Sequence, residues 1–327
     1  IQIPVQQLMG LDELEQHSLI ERYKTEDRQK GFQLDSDQLI RIAVFQTQAD
    51  VYRIVWSHHH ILLDGWSTVK IKSDFLDIYK ALSGNLPLNS SPIRPYGHYI
   101  QWIAGQDKNA SYSYWKNRLM NYEVQAGIPF KKRVKSNITL FEDFVFFFSA
   151  EETKRIQEAA VACNVTLNTF VQAVWGLLLG FYNDTTDVVF GTTVSGRPAG
   201  LEGVEQMVGL FINTIPVRID RSEEKTFQSL ARKVQELHIS SEPHHYVSLS
   251  EIQSETALKN QLFDHIVVFE NYPVGEAMEA SGEASENGFR IEAGGNHETT
   301  NYDFNLIILP GNQLKIKFIY NQAVFVQ

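Results

Sequence analysis

The chain has little with which to cross-link itself, span a bilayer or grip a nucleic acid. Its 327 residues hold one cysteine, Cys163, so no internal disulfide can form, and a reducing, cytoplasmic setting is expected. Cys163 lies in a helical pattern and reads as a small packing residue. No apolar run approaches the ~20 residues of a membrane-spanning helix, and no signal peptide is visible, so no membrane partner is expected. Lys and Arg number 29 against 39 Asp and Glu, for a net charge of -10. With no Lys/Arg-rich run, a nucleic-acid partner is not expected either. The chain also lacks an initiator methionine: Ile1 opens mid-pattern, and the sequence is expected to belong to something longer.

What is present is an ordinary globular composition, 43% apolar and 21% charged, in a length that suits two domains or two similar lobes around one site. Strand-like runs cover Leu39–Phe45 and Val51–Trp56, joined by a polar turn, and a helical pattern follows from Trp66 to Ala81. Ser83–Pro92 is rich in turn formers and reads as a linker. A division there gives one lobe at residues 1–90 and a second at 91–327. Short helices are expected over Tyr96–Gln106 and Ser111–Leu119, and a strand over the aromatic Phe141–Phe148. Ser149 and Glu152 have the spacing of a capping box, so a helix begins there and runs to about Cys163. Leu167–Tyr182 reads as a central helix, Val188–Val194 as a strand and Thr226–His238 as an amphipathic helix. Phe263–Phe269 is another strand. Gly275–Gly288 reads as a mobile loop. Asp303–Leu309 and Leu314–Tyr320 flank Pro310-Gly311-Asn312 as a hairpin. The sum is a mixed α/β architecture with no internal repeat.

The most chemically loaded stretch is Ser57-His58-His59-His60-Ile61-Leu62-Leu63-Asp64-Gly65-Trp66-Ser67. A strand delivers imidazoles into a tight turn, and a helix leaves it. Histidine is the side chain whose ordinary pKa lies near working pH, so this is a place for acid–base chemistry. A shared metal is disfavoured, because neighbours on an extended strand point to opposite faces and His59 and His60 do not easily hold one ion; no Cys/His cluster elsewhere completes a site. Asp64 can hold the turn or neutralise a cation. Gly65 permits unusual backbone angles and the approach of an N–H to a substrate. The plain alternative is that the histidines are merely satisfied at a strand end.

This turn resembles the His-His-x-x-x-Asp-Gly motif of the condensation domains of nonribosomal peptide synthetases. Val194-Ser195-Gly196-Arg197-Pro198, then Leu201, Val204-Glu205 and Met207 through Arg218, resemble two later motifs of that family in order and spacing. Tyr96-Gly97-His98-Tyr99-Ile100-Gln101-Trp102 is similar to a third, Tyr-x-Asp-Phe-x-x-Trp, with His98 for Asp and Tyr99 for Phe. His244-His245-Tyr246 through Gln253, Phe263-Asp264-His265 and Phe269-Glu270-Asn271-Tyr272-Pro273 look like the elongation subtype, which joins an L-donor to an L-acceptor. Two upstream motifs of the family, Ser-x-Ala-Gln-x-Arg and Arg-His-x-x-Leu-Arg-Thr, are absent, as is the helix expected beyond Phe325. The chain is therefore expected to be truncated at both ends, and its activity in this form is open.

The resemblance implies two chloramphenicol-acetyltransferase-like lobes in a V, the N-terminal one incomplete, with a bridging latch at roughly 275–300. It implies peptide-bond formation: the α-amine of an acceptor aminoacyl thioester attacks a donor aminoacyl or peptidyl thioester. Both ride on 4'-phosphopantetheine arms of carrier domains, beside an adenylation domain, with no cofactor of the domain's own. It implies His60 as the catalytic residue, as a base or as a positioning group, and the Gly65 N–H as an oxyanion donor. His59 and Asp64 are expected to support the turn, with Arg197 as the buried partner of Asp64. The resemblance also implies a tunnel between the lobes that admits the two phosphopantetheine arms, and Asn213 and Trp66 are candidates for lining it. Competing readings are an epimerization domain of the same superfamily, a coenzyme A-dependent acyltransferase, and a silent carrier-docking fragment.

Overall fold

The computed structural model describes residues 3–88, 93–132, 140–271 and 300–325. Among them the chain forms two compact units, Ile1–Tyr96 with Gln206–Phe211, and Gly97–Glu205 with Ile212–Gln327. The division expected at 90/91 differs from this in two respects, since the first unit runs on to Tyr96 and also takes in Gln206–Phe211. Gln206–Phe211 joins the first unit because its backbone is hydrogen-bonded to Asp64 and Ser67. Sequence proximity to β-strand Asn213–Asp220 does not decide its place.

The first unit is built on a three-stranded sheet, β1 (Val5–Gln7), β2 (Ile40–Gln48) and β3 (Val51–His58). β1 runs parallel to β2, and β2 pairs antiparallel with β3 around a two-residue turn at Ala49-Asp50. Along β2 the residues Ala43, Phe45 and Thr47 are buried, the period-2 signature of a strand covered on one face. Helix α1 (Glu13–Lys30) supplies Leu19, Ile20 and Tyr23 to that face. Its start is set by a capping box between Asp12 and Glu15. Its far end is stapled to β2 by Arg41, which reaches Asp27 at 2.6 Å and the Gly31 carbonyl at 2.9 Å. Helix α2 (Gly65–Ser83) follows the histidine turn.

The second unit carries a six-stranded sheet in the order β4-β9-β8-β7-β5-β6. Its strands are β4 (Phe141–Phe147), β5 (Asp187–Val194), β6 (Asn213–Asp220), β7 (His265–Phe269), β8 (Phe304–Leu309) and β9 (Lys315–Asn321). β7 is parallel to both β5 and β8, and the remaining pairs are antiparallel. Helices α3 (Gly97–Ala104) and α4 (Lys108–Leu119) lead in. α5 (Ala150–Ala162) and α6 (Leu167–Tyr182) link β4 to β5, α7 (Phe227–Ser241) follows β6, and α8 (Leu249–Ser254) precedes β7. The Ser149–Glu152 capping box forms as expected. α6 is central: Ala173, Trp175 and Leu179 are buried against β5, β6 and α7 in one cluster with Phe190, Ile219, Leu230 and Val234. A second cluster joins Trp115 and Leu119 of α4 to Val189, Ile215, Ile252 and Phe263. Apolar as α6 is, no single helix among the described residues is long and apolar enough to cross a membrane.

The mixed α/β class read from the sequence is the class observed. The Gly275–Gly288 loop and nearly all of the 275–300 latch lie outside the described residues, as do Tyr272-Pro273 and the end of the Ser83–Pro92 linker.

Candidate active site

β3 ends at His58, and the chain then folds through a tight turn into α2. The His58 ring lies 5.3 Å from that of Trp56. His59 is half-buried and anchors the near end of the turn. Its N–H donates to the Leu39 carbonyl at 2.9 Å, and its carbonyl accepts from the Leu62 N–H at 3.1 Å. Its Nδ1 accepts from the Ile61 N–H at 3.1 Å, so the proton of a neutral ring sits on Nε2. The Phe32 ring meets His59 edge-on at 6.1 Å and is itself covered by the Arg41 guanidinium at 3.8 Å. The staple at the end of α1 thus reaches the turn through two stacked side chains. His60 comes next and is exposed, which leaves its imidazole open to a substrate.

Asp64 anchors the far end. It is 1% exposed and is the N-cap of α2. One carboxylate oxygen accepts the Ser67 N–H at 2.7 Å, and the other accepts the Phe211 N–H at 3.0 Å. Its own N–H donates to the Gly209 carbonyl at 3.3 Å. A carboxylate at a helix start also meets the positive end of the helix dipole. Gly65 is the first residue of α2, where a backbone N–H has no acceptor within the helix. Trp66 is half-buried beside it. His59, His60, Asp64 and Gly65 are therefore brought together on one turn, with only His60 fully presented.

Two residues that the sequence reading names within motifs but gives no part in the site complete the arrangement. Ser67 is fully buried, and its hydroxyl donates to the Gly209 carbonyl at 2.8 Å and accepts the Gly209 N–H at 3.1 Å. Tyr96 donates its hydroxyl to the Leu210 carbonyl and sets its ring against Phe211 at 5.1 Å, nearly perpendicular. The ring lies so close over Gly209 that a Cβ there would come within 2.1 Å of it, so only glycine fits. Asp64 and Ser67 are spaced as a cap and its third following residue, a signal that marks the helix start but not the distant segment it grips.

Arg197 belongs to the second unit, is half-buried and donates Nη1 to the Val204 carbonyl. The preceding Gly196 has φ +61, the left-handed conformation that favours glycine. Asn213 commits its amide to the His245 and Val247 carbonyls, at 2.8 and 2.6 Å, and so ties the start of β6 to the loop before α8.

His238, His244, His245 and His265 are in the second unit's scaffold. His244 Nδ1 lies 2.8 Å from the Ser111 hydroxyl, which is 2.7 Å from the Tyr246 hydroxyl. His245 Nε2 lies 2.9 Å from the Ser241 hydroxyl, and His238 Nε2 lies 2.8 Å from Gln172 Oε1. Burial pushes both His238 and His245 down to about 4, helped at His238 by the Arg118 charge and at His245 by its histidine neighbours. His265 is fully buried. It receives the Trp175 indole N–H on Nε2 at 2.9 Å, so its Nδ1 carries the proton shared with Asp264 at 2.8 Å. Burial works against the Asp264 charge, but hydrogen bonds from His265 and Lys131 outweigh it and hold the carboxyl below its ordinary value. Among the described residues no group of three or more His, Cys, Asp and Glu is placed to hold a metal ion.

The mixed α/β fold with its two sheets is shared with solved domains. The X-domain from teicoplanin biosynthesis superposes with a TM-score of 0.79 at 19% identity, over 100% of this chain and 75% of that one. The starter condensation domain of rhizomide synthetase, solved in complex with C8-CoA and Leu-SNAC, gives 0.77 at 17% identity, over 99% and 72%. At such identities the likeness is one of fold. The sequence model of the Condensation domain family matches residues 1–327, and the chain belongs to that family. It is 42% identical over 311 residues to surfactin synthase subunit 3 of Bacillus subtilis (strain 168), which covers 95% of this chain and 24% of that protein. Gramicidin S synthase 2 of Brevibacillus brevis is 39% identical over 327 residues, 99% of this chain and 7% of that protein. Tyrocidine synthase 2 of Brevibacillus parabrevis is 38% identical over 325 residues, 99% and 9%. The chain thus spans a small part of each of these relatives.

Proposed function

We propose that this domain forms a peptide bond between two thioesters carried on 4'-phosphopantetheine arms. The donor is an aminoacyl or peptidyl thioester on one carrier domain. The acceptor is an aminoacyl thioester with a free α-amine on another, in a cytoplasmic synthetase that also holds an adenylation domain. The acceptor nitrogen attacks the donor carbonyl carbon, the C–N bond forms, and the C–S bond breaks to leave the donor arm as a thiol. The amine loses one proton in the process and the departing sulfur takes one up. The observation that carries this reading is the exposed imidazole of His60 on a turn anchored at both ends.

In this reading His60 receives the amine proton or holds the amine and the tetrahedral intermediate in place. Either role fits an imidazole that is open to the substrate and borne on a fixed backbone. The Gly65 N–H, at the first position of α2, is the donor for the developing oxyanion. His59 and Asp64 hold the turn. Arg197 is the partner of Asp64 that the family resemblance implies, checked by a double-mutant cycle on the two. Trp66 and Asn213 are the residues proposed to line the tunnel. The His244-His245-Tyr246 and Phe263-Asp264-His265 stretches support the subtype that joins L-donor to L-acceptor.

The test is a reconstituted condensation. A loaded donor carrier, a loaded acceptor carrier and the domain are mixed, and the acceptor arm is read by mass spectrometry. A dipeptidyl thioester on the acceptor arm is expected. Exchange of an α-proton on a single carrier, with no dipeptide, would replace this reading with epimerization. Carrier binding with neither reaction would leave a docking domain.

A further inference from the structure

We infer that Ser67 and Tyr96 are positioning residues for His60, acting through the backbone of Gly209–Phe211; this rests on the reading of His60 given above. The turn that bears His60 is short and is hydrogen-bonded at both ends. At the near end His59 ties it to the sheet through the Leu39 carbonyl. At the far end the grip is on a segment remote in sequence. Ser67 bonds both the N–H and the carbonyl of Gly209, and Asp64 bonds the same carbonyl and the Phe211 N–H.

The segment is gripped from its other side by Tyr96. The Tyr96 hydroxyl takes the Leu210 carbonyl, and its ring closes on Gly209 and Phe211. Gly209 is therefore the point where α2 and Tyr96 meet, and the absence of a side chain there permits both contacts. Ser67 is fully buried and Tyr96 is spent on the segment, so neither presents a group to a substrate. Their effect on chemistry runs through the orientation of residues 60–64. A small misplacement of a reacting group is enough to slow a reaction that depends on alignment.

The test compares Ser67→Ala and Tyr96→Phe with the wild-type domain in dipeptide formation between loaded carriers. Ser67→Ala is expected to lower kcat by roughly 10- to 100-fold while KM for the acceptor carrier stays within about 2-fold, because alignment and not binding is lost. Tyr96→Phe keeps the ring and loses one hydrogen bond, so a smaller fall in kcat in the same direction is expected, and it serves where Ser67→Ala does not fold. Amide hydrogen exchange at Gly209 and Phe211 should quicken in both variants, and the His60 ring resonances should shift. An unchanged kcat, or a loss seen wholly in KM, overturns the inference. If the wild type makes no dipeptide, the condensation reading fails on its own. The positioning claim then stands or falls on whether the His60 resonances and the Gly209 exchange respond to Ser67→Ala.

Discussion

The two units hold their functional and structural residues by different means. In the second unit, α6 and the six-stranded sheet bury Phe190, Leu179, Ala173 and Ile308 almost completely, and precision comes from close packing. In the first, one apolar cluster is Leu8, Ile20, Ala43 and Phe45 with a few partly buried neighbours, and Leu63, Met207 and Phe211 are buried as well. Val51, Tyr52 and Ile54 of β3 are exposed. The histidine turn, with Leu63 buried in it, is further fixed by hydrogen bonds to backbone groups at Leu39, Gly209 and Phe211. Polar clamps are directional, so they can set a side chain's orientation more narrowly than apolar contact alone. They also fail differently from a packed core, and that difference can be measured.

The largest expected effect on stability is in the packed unit. Leu179 is 1% exposed in the main cluster. Leu179→Ala should cost about 2–5 kcal/mol, the range for a buried leucine leaving a cavity. Denaturant unfolding followed by hydrogen exchange should show the loss in α6 and β5 and spare β2 and β3. Equal loosening of both units would show that the two are not independent.

Acid should act next, and again on the second unit. His238 and His245 are buried neutral and pushed down to about 4, whereas in the unfolded chain each titrates near 6.5. The unfolded state therefore binds more protons between these values, so stability is fully present above about 6.5 and falls as the pH drops toward 4. Between pH 7 and 5 the loss is on the order of 2 kcal/mol for each histidine. A stability profile that is flat over this range in the wild type, or as steep in a His238→Gln variant, would contradict their burial as neutral rings.

A smaller effect is expected from Asp64→Ala in the first unit. The lost N-cap and the lost acceptor for a distant N–H together account for about 1–2 kcal/mol, apart from any cost at the proposed Arg197 partner. The signature is locality: exchange should quicken at Ser67 and Phe211, with α6 unmoved. A shift confined to the second unit would break the comparison.

Much of this division could be read in the sequence, and what could not has a physical reason. Leu167–Tyr182 is apolar around most of its surface and was bound to be a central helix. The Ser149–Glu152 box marks a helix start that forms as expected. α1 carries no such pattern. Of its residues only Ile20 and Asp27 are buried, so the stripe that announces a surface helix is missing, and Asp12 with Glu15 is its only clear signal. β1 is three residues long and exposed throughout, which leaves alternation nothing to show. At the site, the histidines, Asp64 and Gly65 stand out because their chemistry and spacing lie within one turn. The Ser67–Gly209 clamp does not, since it joins residues 142 apart and uses backbone groups that every residue has. Conversely, the histidines of 244–245 and 265 look chemical in the sequence. In the structure they are hydrogen-bonded into the scaffold by Ser111, Ser241, Trp175 and Asp264.

The most direct test of the account is the single-turnover rate of dipeptide formation in His60→Ala against wild type, with thermal unfolding measured on the same samples. Because His60 is exposed and its neighbours bear the anchoring bonds, the account predicts a rate lower by ~10²–10⁴-fold and an unchanged unfolding transition. A rate within a few-fold of wild type, from a domain equally folded, would contradict it.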